Sequence, residues 1–157
     1  MNIEDVKKKI KPEDRVIMAS KKVIPLRFPI DQSETHHLGK PAGLWYAMGT
    51  AWIDWVESEM PEWVENWHHV YKIKINPNRI LFIKSVEEMD RFTDMFATRG
   101  FVRDINWIAV SEKYSGIEIV PYQWKRRHTN GWYYTWDVAS GCIWAKDGIS
   151  HVYKVKV

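Results

Sequence analysis

The chain has 157 residues, 45% of them hydrophobic and 27% charged, a length and balance that fit a single globular domain over 1–157 and exclude a disordered or fibrous chain. Its 23 basic and 20 acidic residues leave a net charge of +3, too small an excess to define a nucleic-acid-binding surface by itself. No apolar run approaches the roughly 20 residues of a spanning helix, residues 1–11 are charged rather than signal-like, and Cys142 is the only cysteine. A cytoplasmic protein with no membrane partner, no internal disulfide and no cysteine-based zinc site is therefore expected.

The ten Trp residues are the compositional anomaly. Each large ring must fill a core, line a pocket or meet a partner. In chain order, Ile3, Val6 and Ile10 are helically spaced, which predicts an N-terminal helix within 1–12, ended by Pro12. Two strands are expected next, Arg15 to Ala19 and Val23 to Ile30, the second at an edge because it holds Pro25 and Pro29. Residues 31–41 read as a polar loop. Gly43 to Met48 reads as an aromatic strand, and Thr50 should cap a helix on which Trp52, Trp55 and Val56 share one face. Trp63, Val64 and Trp67 repeat that relation after Pro61, so these four Trp are expected to seal the core.

Residues 69–75 alternate as a half-buried strand, and the turn Asn76-Pro77-Asn78 leads to a second strand over 79–84, which suggests a hairpin. Ser85 and Glu88 have capping-box spacing, with Met89, Phe92 and Phe96 on one face of a helix that should end near Gly100. Asp104 could cap a further helix through Tyr114 that turns Ile105, Ile108 and Ala109 inward. A short strand over 117–121 follows, and 141–157 reads as two strands joined by Asp147-Gly148. The fold class is α+β: a mainly antiparallel split β-sandwich or twisted sheet with several short helices packed on it.

Neither a P-loop, nor a dinucleotide-binding glycine fingerprint, nor a nucleophile elbow is present. The pairs His36-His37 and His68-His69 are poor metal sites, since neighbours on a strand point to opposite faces, and no metal is expected. Lys125, Arg126, Arg127 and His128 lie between Trp124 and Trp132. Positive charge beside flat rings could grip a phosphate or nucleic acid and stack a base, although a solvated turn whose arginines pair with carboxylates is the somewhat better reading. Two carboxylates sit in apolar and aromatic surroundings, Glu118 in SGIEIVPY and Asp137 in WYYTWDVASGCIW. Such a group is costly unless paired or functional, so both are candidate catalytic acids. The bland alternatives are an outward-facing Glu118 and a turn-capping Asp137.

The series of Arg27 in VIPLRF, the strand Gly43-Leu44-Trp45-Tyr46-Ala47, the strand pair from Val70 to Lys84 and a late acidic residue resembles the ADP-ribosyltransferase fold family. That resemblance implies a split β-sandwich around a nicotinamide pocket and NAD as the substrate, with transfer of ADP-ribose to a macromolecular acceptor. It also implies that Arg27 binds the NAD phosphates or ribose, that Trp45 and Tyr46 lie at the nicotinamide, and that Glu118 or Asp137 stabilises the oxocarbenium cation as the C–N bond breaks. Two other readings stay open. One is a non-catalytic module whose Trp-lined cleft binds a nucleotide, nucleic acid or peptide, and the other is an interaction protein that exposes its aromatics as an apolar patch.

Overall fold

A computed structural model describes residues 1–34, 39–99 and 103–157. Its strands are β1 (Arg15–Ala19), β2 (Leu44–Met48), β3 (His69–Ile75), β4 (Ile80–Ile83), β5 (Gly116–Ile119), β6 (Ser140–Ile143) and β7 (Ile149–Lys154). They form one seven-stranded sheet in the order β4, β5, β6, β2, β1, β3, β7. Only the β4 and β5 pair is parallel. The sheet curls into a half-barrel, and with its short helices gives the α+β class.

The curl explains a connection that the sequence suggests is a hairpin. β3 and β4 do not pair: β3 lies between β1 and β7, whereas β4 forms the far edge beside β5. A single 3-10 turn, Pro77–Arg79, joins the two. So short a link can connect opposite ends of a strand order only if the sheet bends round to bring those ends together. Bonds at the seam agree. Arg79 Nε donates to Asp147 Oδ2 at 3.1 Å, Asn76 Nδ2 donates to the Asp147 carbonyl at 3.1 Å, and the Ser115 hydroxyl donates to Asp147 Oδ1. β6 and β7 likewise do not pair with each other. Lys146–Gly148 is another 3-10 turn that carries the chain from β6 across the seam to the β3 edge.

Alternation along the strands gives the sheet two unlike faces. Ile17, Tyr46, Tyr71, Ile73, Ile80 and Ile143 form one buried cluster drawn from both ends of the strand order, which marks it as the inner face of the curl. The outer face carries all four helices in two groups. On β1 and β3, Val16 and Val70 pack against Val6 of α1 (Ile3–Lys8) and against Ile53 and Val56 of α2 (Ala51–Glu59). On β5 and β6, Ile117, Ile119 and Cys142 pack against α3 (Val86–Phe96), α4 (Trp107–Lys113) and the returning segment 121–139. Between the two groups, over β1, β2 and β6, the outer face is left partly uncovered.

Local signals account for several elements. Asn2 caps α1, and Ser85 Oγ accepts the Glu88 N–H at 3.1 Å at the start of α3, while the Glu88 carboxylate reaches back to the Lys84 N–H at 3.0 Å. Met89, Phe92 and Phe96 are buried on that helix, as their spacing requires. It ends at Phe96, and Gly100 lies outside the described residues. Three expectations need correction. Residues 23–30 form no strand, because two prolines remove donors that a ladder needs. α4 is capped by Asn106, not Asp104, which rotates Trp107 and Val110 inward and leaves Ile108 49% exposed. Pro61 does start a second helical turn, the 3-10 segment Pro61–Asn66. Of Trp52, Trp55, Trp63 and Trp67, only Trp67 belongs to the core, and Trp63 is 40% exposed.

The solid core is built from a different set of indoles. Trp132 meets Phe92, Trp107 and Trp136 in steep edge-to-face contacts, with interplanar angles of 65°, 77° and 89°. Such contacts set the positive ring edge against the negative ring face. Three ring N–H groups here are satisfied: Trp107 by the Gly39 carbonyl at 2.7 Å, Trp132 by Thr93 Oγ1 at 3.1 Å and Trp144 by the Tyr114 carbonyl at 2.7 Å. Trp136, 1% exposed, has no partner for its Nε1–H among the described residues.

Candidate functional site

The uncovered strip of outer sheet forms a cleft of about 250 Å³. Its floor is Val16 and Met18 of β1, Trp45 and Ala47 of β2, and Ser140 of β6; its walls are Trp52 of α2 on one side and Trp136, Asp137 and Val138 on the other, with Lys40 at one margin. The Trp45 and Trp136 rings meet edge to face, with centroids 4.8 Å apart. Trp52 stacks on Trp55 at 5.1 Å with 6° between the planes, which braces that wall from outside. The lining is thus mostly flat and apolar, with one ammonium, one carboxylate and one hydroxyl.

Lys40 lies over the Trp45 ring, its Nζ 5.3 Å from the centroid. It makes no hydrogen bond or ion pair with the described residues. Burial pulls its amine below the ordinary lysine value, and the negative charge of Asp137 only partly offsets this. Asp137 is half-buried and accepts from Arg127 Nη2 at 3.4 Å. Arg127 also donates to the Tyr122 hydroxyl at 2.6 Å and to the Trp136 carbonyl at 3.2 Å, so it ties down the segment that presents Asp137. Ser140 Oγ donates to the Val138 carbonyl at 2.9 Å.

Glu118 is held elsewhere. It lies on the inner face, 5% exposed, where its Oε1 accepts from Arg15 Nε at 2.6 Å and from the Tyr46 hydroxyl at 2.9 Å, and its Oε2 from Arg15 Nη2 at 3.3 Å. Register explains the reach: Glu118 of β5, Gly141 of β6 and Tyr46 of β2 are cross-strand neighbours. The Tyr46 ring crosses the bare Gly141 backbone, where an added Cβ would stand 2.3 Å from the phenol end of the ring. Burial, reinforced by the Glu118 charge, holds the Tyr46 phenol well above its ordinary value, so it remains a donor. Burial works against the Arg15 cation, but the Glu118 carboxylate overrides it and the guanidinium stays above its ordinary value.

The structure therefore separates residues that the sequence groups together. Trp45 and Asp137 share the cleft. Tyr46 borders it, but its hydroxyl is committed to Glu118 on the opposite face. Arg27 is exposed in the irregular segment after β1 and does not line the cleft. In the basic turn, Arg126 makes a two-pronged bond to Asp90 on α3, at 2.8 Å for each prong, and Arg127 is engaged as above. Lys125 and His128 are exposed, with His128 beside the Tyr134 ring at 5.9 Å. His36-His37 lies outside the described residues, and no group of three or more metal-ligating side chains occurs among the described residues.

Sequence reasoning misses Lys40, which sits between Gly39 and Pro41 with no periodicity to place it, and Arg15, whose partner lies 103 positions away. It assigns Trp52 to the core because helical spacing reports which face a ring shares, not whether that face is covered. No helix among the described residues is long and apolar enough to cross a membrane. Comparison with protein-family models, with curated proteins and with solved structures finds no match to this chain.

Proposed function

We propose that the protein is a ligand-binding module that takes one planar ring of a small molecule, such as a nucleobase or nicotinamide, into the cleft on the outer face of its sheet. The observation that carries this reading is a cleft of about 250 Å³ walled by Trp45, Trp52 and Trp136. Drug-sized ligands occupy pockets of about 300–1,000 Å³, so this one encloses a ring system and leaves the rest of a nucleotide outside. Exposed aromatic faces in a concave site are suited to stacking, worth roughly 1–3 kcal/mol per base.

Titrations of intrinsic Trp fluorescence with adenosine, nicotinamide and NAD test the reading. A saturable change that is lost in Trp52→Ala is expected. A flat response to every ring compound at millimolar concentration removes it.

A second reading, ADP-ribosyl transfer from NAD, draws on one specific observation: Asp137 is a carboxylate in the wall of that same cleft. Under it the nicotinamide ring lies against Trp45, and Asp137 stabilises the oxocarbenium cation. Glu118 has little support for that role, since its two oxygens are engaged by Arg15 and Tyr46. Release of nicotinamide from NAD, abolished by Asp137→Asn while the fluorescence change persists, would establish transfer chemistry over binding alone.

A further inference from the structure

We propose that Lys40 is a reactive amine that forms an imine with an aromatic aldehyde held in the cleft. The proposal rests on the reading that the cleft takes a planar ring. Its own evidence is the setting of Lys40. A lysine kept for structure pairs its ammonium with a carboxylate or carbonyl, or extends it into water. Lys40 instead lies over the Trp45 ring at the margin of an apolar cleft, without a hydrogen bond or ion pair to any described residue. Desolvation of this kind favours the neutral amine, which is the nucleophile, and the direction of the Lys40 shift agrees.

The charges of the lining favour a neutral electrophile over an anion. Lys40 and Asp137 are its only charged members among the described residues and they cancel, so a carboxylate or phosphate drawn to Lys40 also meets the Asp137 charge. An uncharged carbonyl meets no such opposition. Asp137 then has a use as the proton carrier. The Lys40 ammonium, which is not in direct contact with Asp137, passes a proton to the carboxylate by way of cleft water, and the nitrogen lone pair forms a bond to the carbonyl carbon as the carbonyl π pair moves to oxygen. That oxygen takes a proton from the attacking nitrogen to give the neutral carbinolamine, and Asp137 keeps the proton it received. The nitrogen lone pair then forms C=N while the hydroxyl leaves with a proton from Asp137 as one molecule of water. No electrons are gained or lost, and the step needs no further reactant.

The test uses the full chain with benzaldehyde and cyanoborohydride, which freezes an imine as a stable secondary amine, followed by peptide mapping. Lys40 should be labelled at least about tenfold faster than any other lysine, through positioning and desolvation together. Lys40→Arg keeps the cation and removes the nucleophile; it should abolish the fast phase while benzyl alcohol, which cannot form an imine, still perturbs Trp fluorescence. Near-ultraviolet circular dichroism of that variant reports whether the fold is intact, and butanal on the wild-type chain supplies a check that needs no variant: without a ring to be positioned, it should show a clearly smaller preference for Lys40 than benzaldehyde does. Labelling spread evenly over the lysines overturns the proposal. So does tight benzoate binding that depends on Lys40 without fast labelling, which would make Lys40 an anion anchor. Fast labelling of Lys40 with no response to benzyl alcohol, nicotinamide or adenosine would keep the reactive amine and remove the ring-binding reading instead.

Discussion

The two faces of the curled sheet treat charge in opposite ways. On the inner face, Arg15, Tyr46 and Glu118 are buried together and every Glu118 oxygen is engaged. On the outer face, the Lys40 ammonium at the cleft and the buried Trp136 ring N–H have no hydrogen-bond partner among the described residues. Buried polar groups that are satisfied specify the fold, whereas buried polar groups left over are where a second molecule can be accommodated. The difference teaches that a carboxylate in apolar surroundings is not a sign of chemistry until its partners are counted. Glu118 and Asp137 look equally suspicious in the sequence, and Glu118 is the more fully satisfied in the fold.

The contrast breaks most severely where the outer face depends on its packed indoles. Trp132→Ala removes a 2% exposed ring together with the hydrogen bond its ring N–H donates to Thr93 Oγ1, and should cost about 3–5 kcal/mol in urea unfolding. On the inner face, Glu118→Ala strands Arg15 and the Tyr46 hydroxyl. Because the Arg15 side chain is 26% exposed and water can reach part of it, the expected loss is about 3 kcal/mol, the lower end for a broken buried pair. Gly141→Ala tests the same cluster without touching a charge. Its Cβ would press on the Tyr46 ring and stand 2.8 Å from the Ile117 carbonyl, and overpacking of this kind costs about 1–3 kcal/mol. If Glu118→Ala proves neutral while Gly141→Ala is damaging, packing rather than charge satisfaction defines that face.

How much of this was legible in the sequence follows the range of the interaction that decides each feature. The Ser85 cap and the Met89, Phe92, Phe96 stripe of α3 are settled within one or two helical turns, and they can be read directly. β3 shows its alternation plainly, but alternation does not name the neighbouring strand. The short turn between β3 and β4 therefore resembles a hairpin, although it bridges the two ends of the curl. The cleft is less legible still. It exists because two helix groups leave β1, β2 and β6 partly uncovered, a property of packing that no local pattern contains. Asp137 and Trp45 could be proposed from composition; their meeting with Lys40 and Trp52 could not.

Trp52→Ala separates binding from stability. Its ring is half-buried against Trp55 and forms a cleft wall, so the substitution should lower stability by only about 1 kcal/mol while weakening a stacked ligand about tenfold or more. An unchanged affinity would move the ligand away from that wall and reduce the outer cleft to a surface depression.

The smallest effect belongs to the seam that closes the curl and so defines an inner face at all. The Ser115 hydroxyl, with Arg79 adding to it against a small desolvation penalty, holds the Asp147 carboxyl below its ordinary value. A carboxyl lowered in the folded state contributes stability that is fully present above its unfolded value, about 3.9, and is lost as pH falls through the lower folded value. The Asp147 side chain is 59% exposed, so water screens the pair with Arg79 and the contribution should stay under about 1 kcal/mol. Asp147→Asn should therefore lower stability slightly at neutral pH and converge on the wild type under acid conditions below the ordinary carboxylate range. Parallel curves across the whole pH range would mean that the carboxylate charge has no part in the seam, leaving the Asn76 bond to the Asp147 carbonyl and the inner-face packing of Ile75, Ile80 and Ile149 to hold the two ends together.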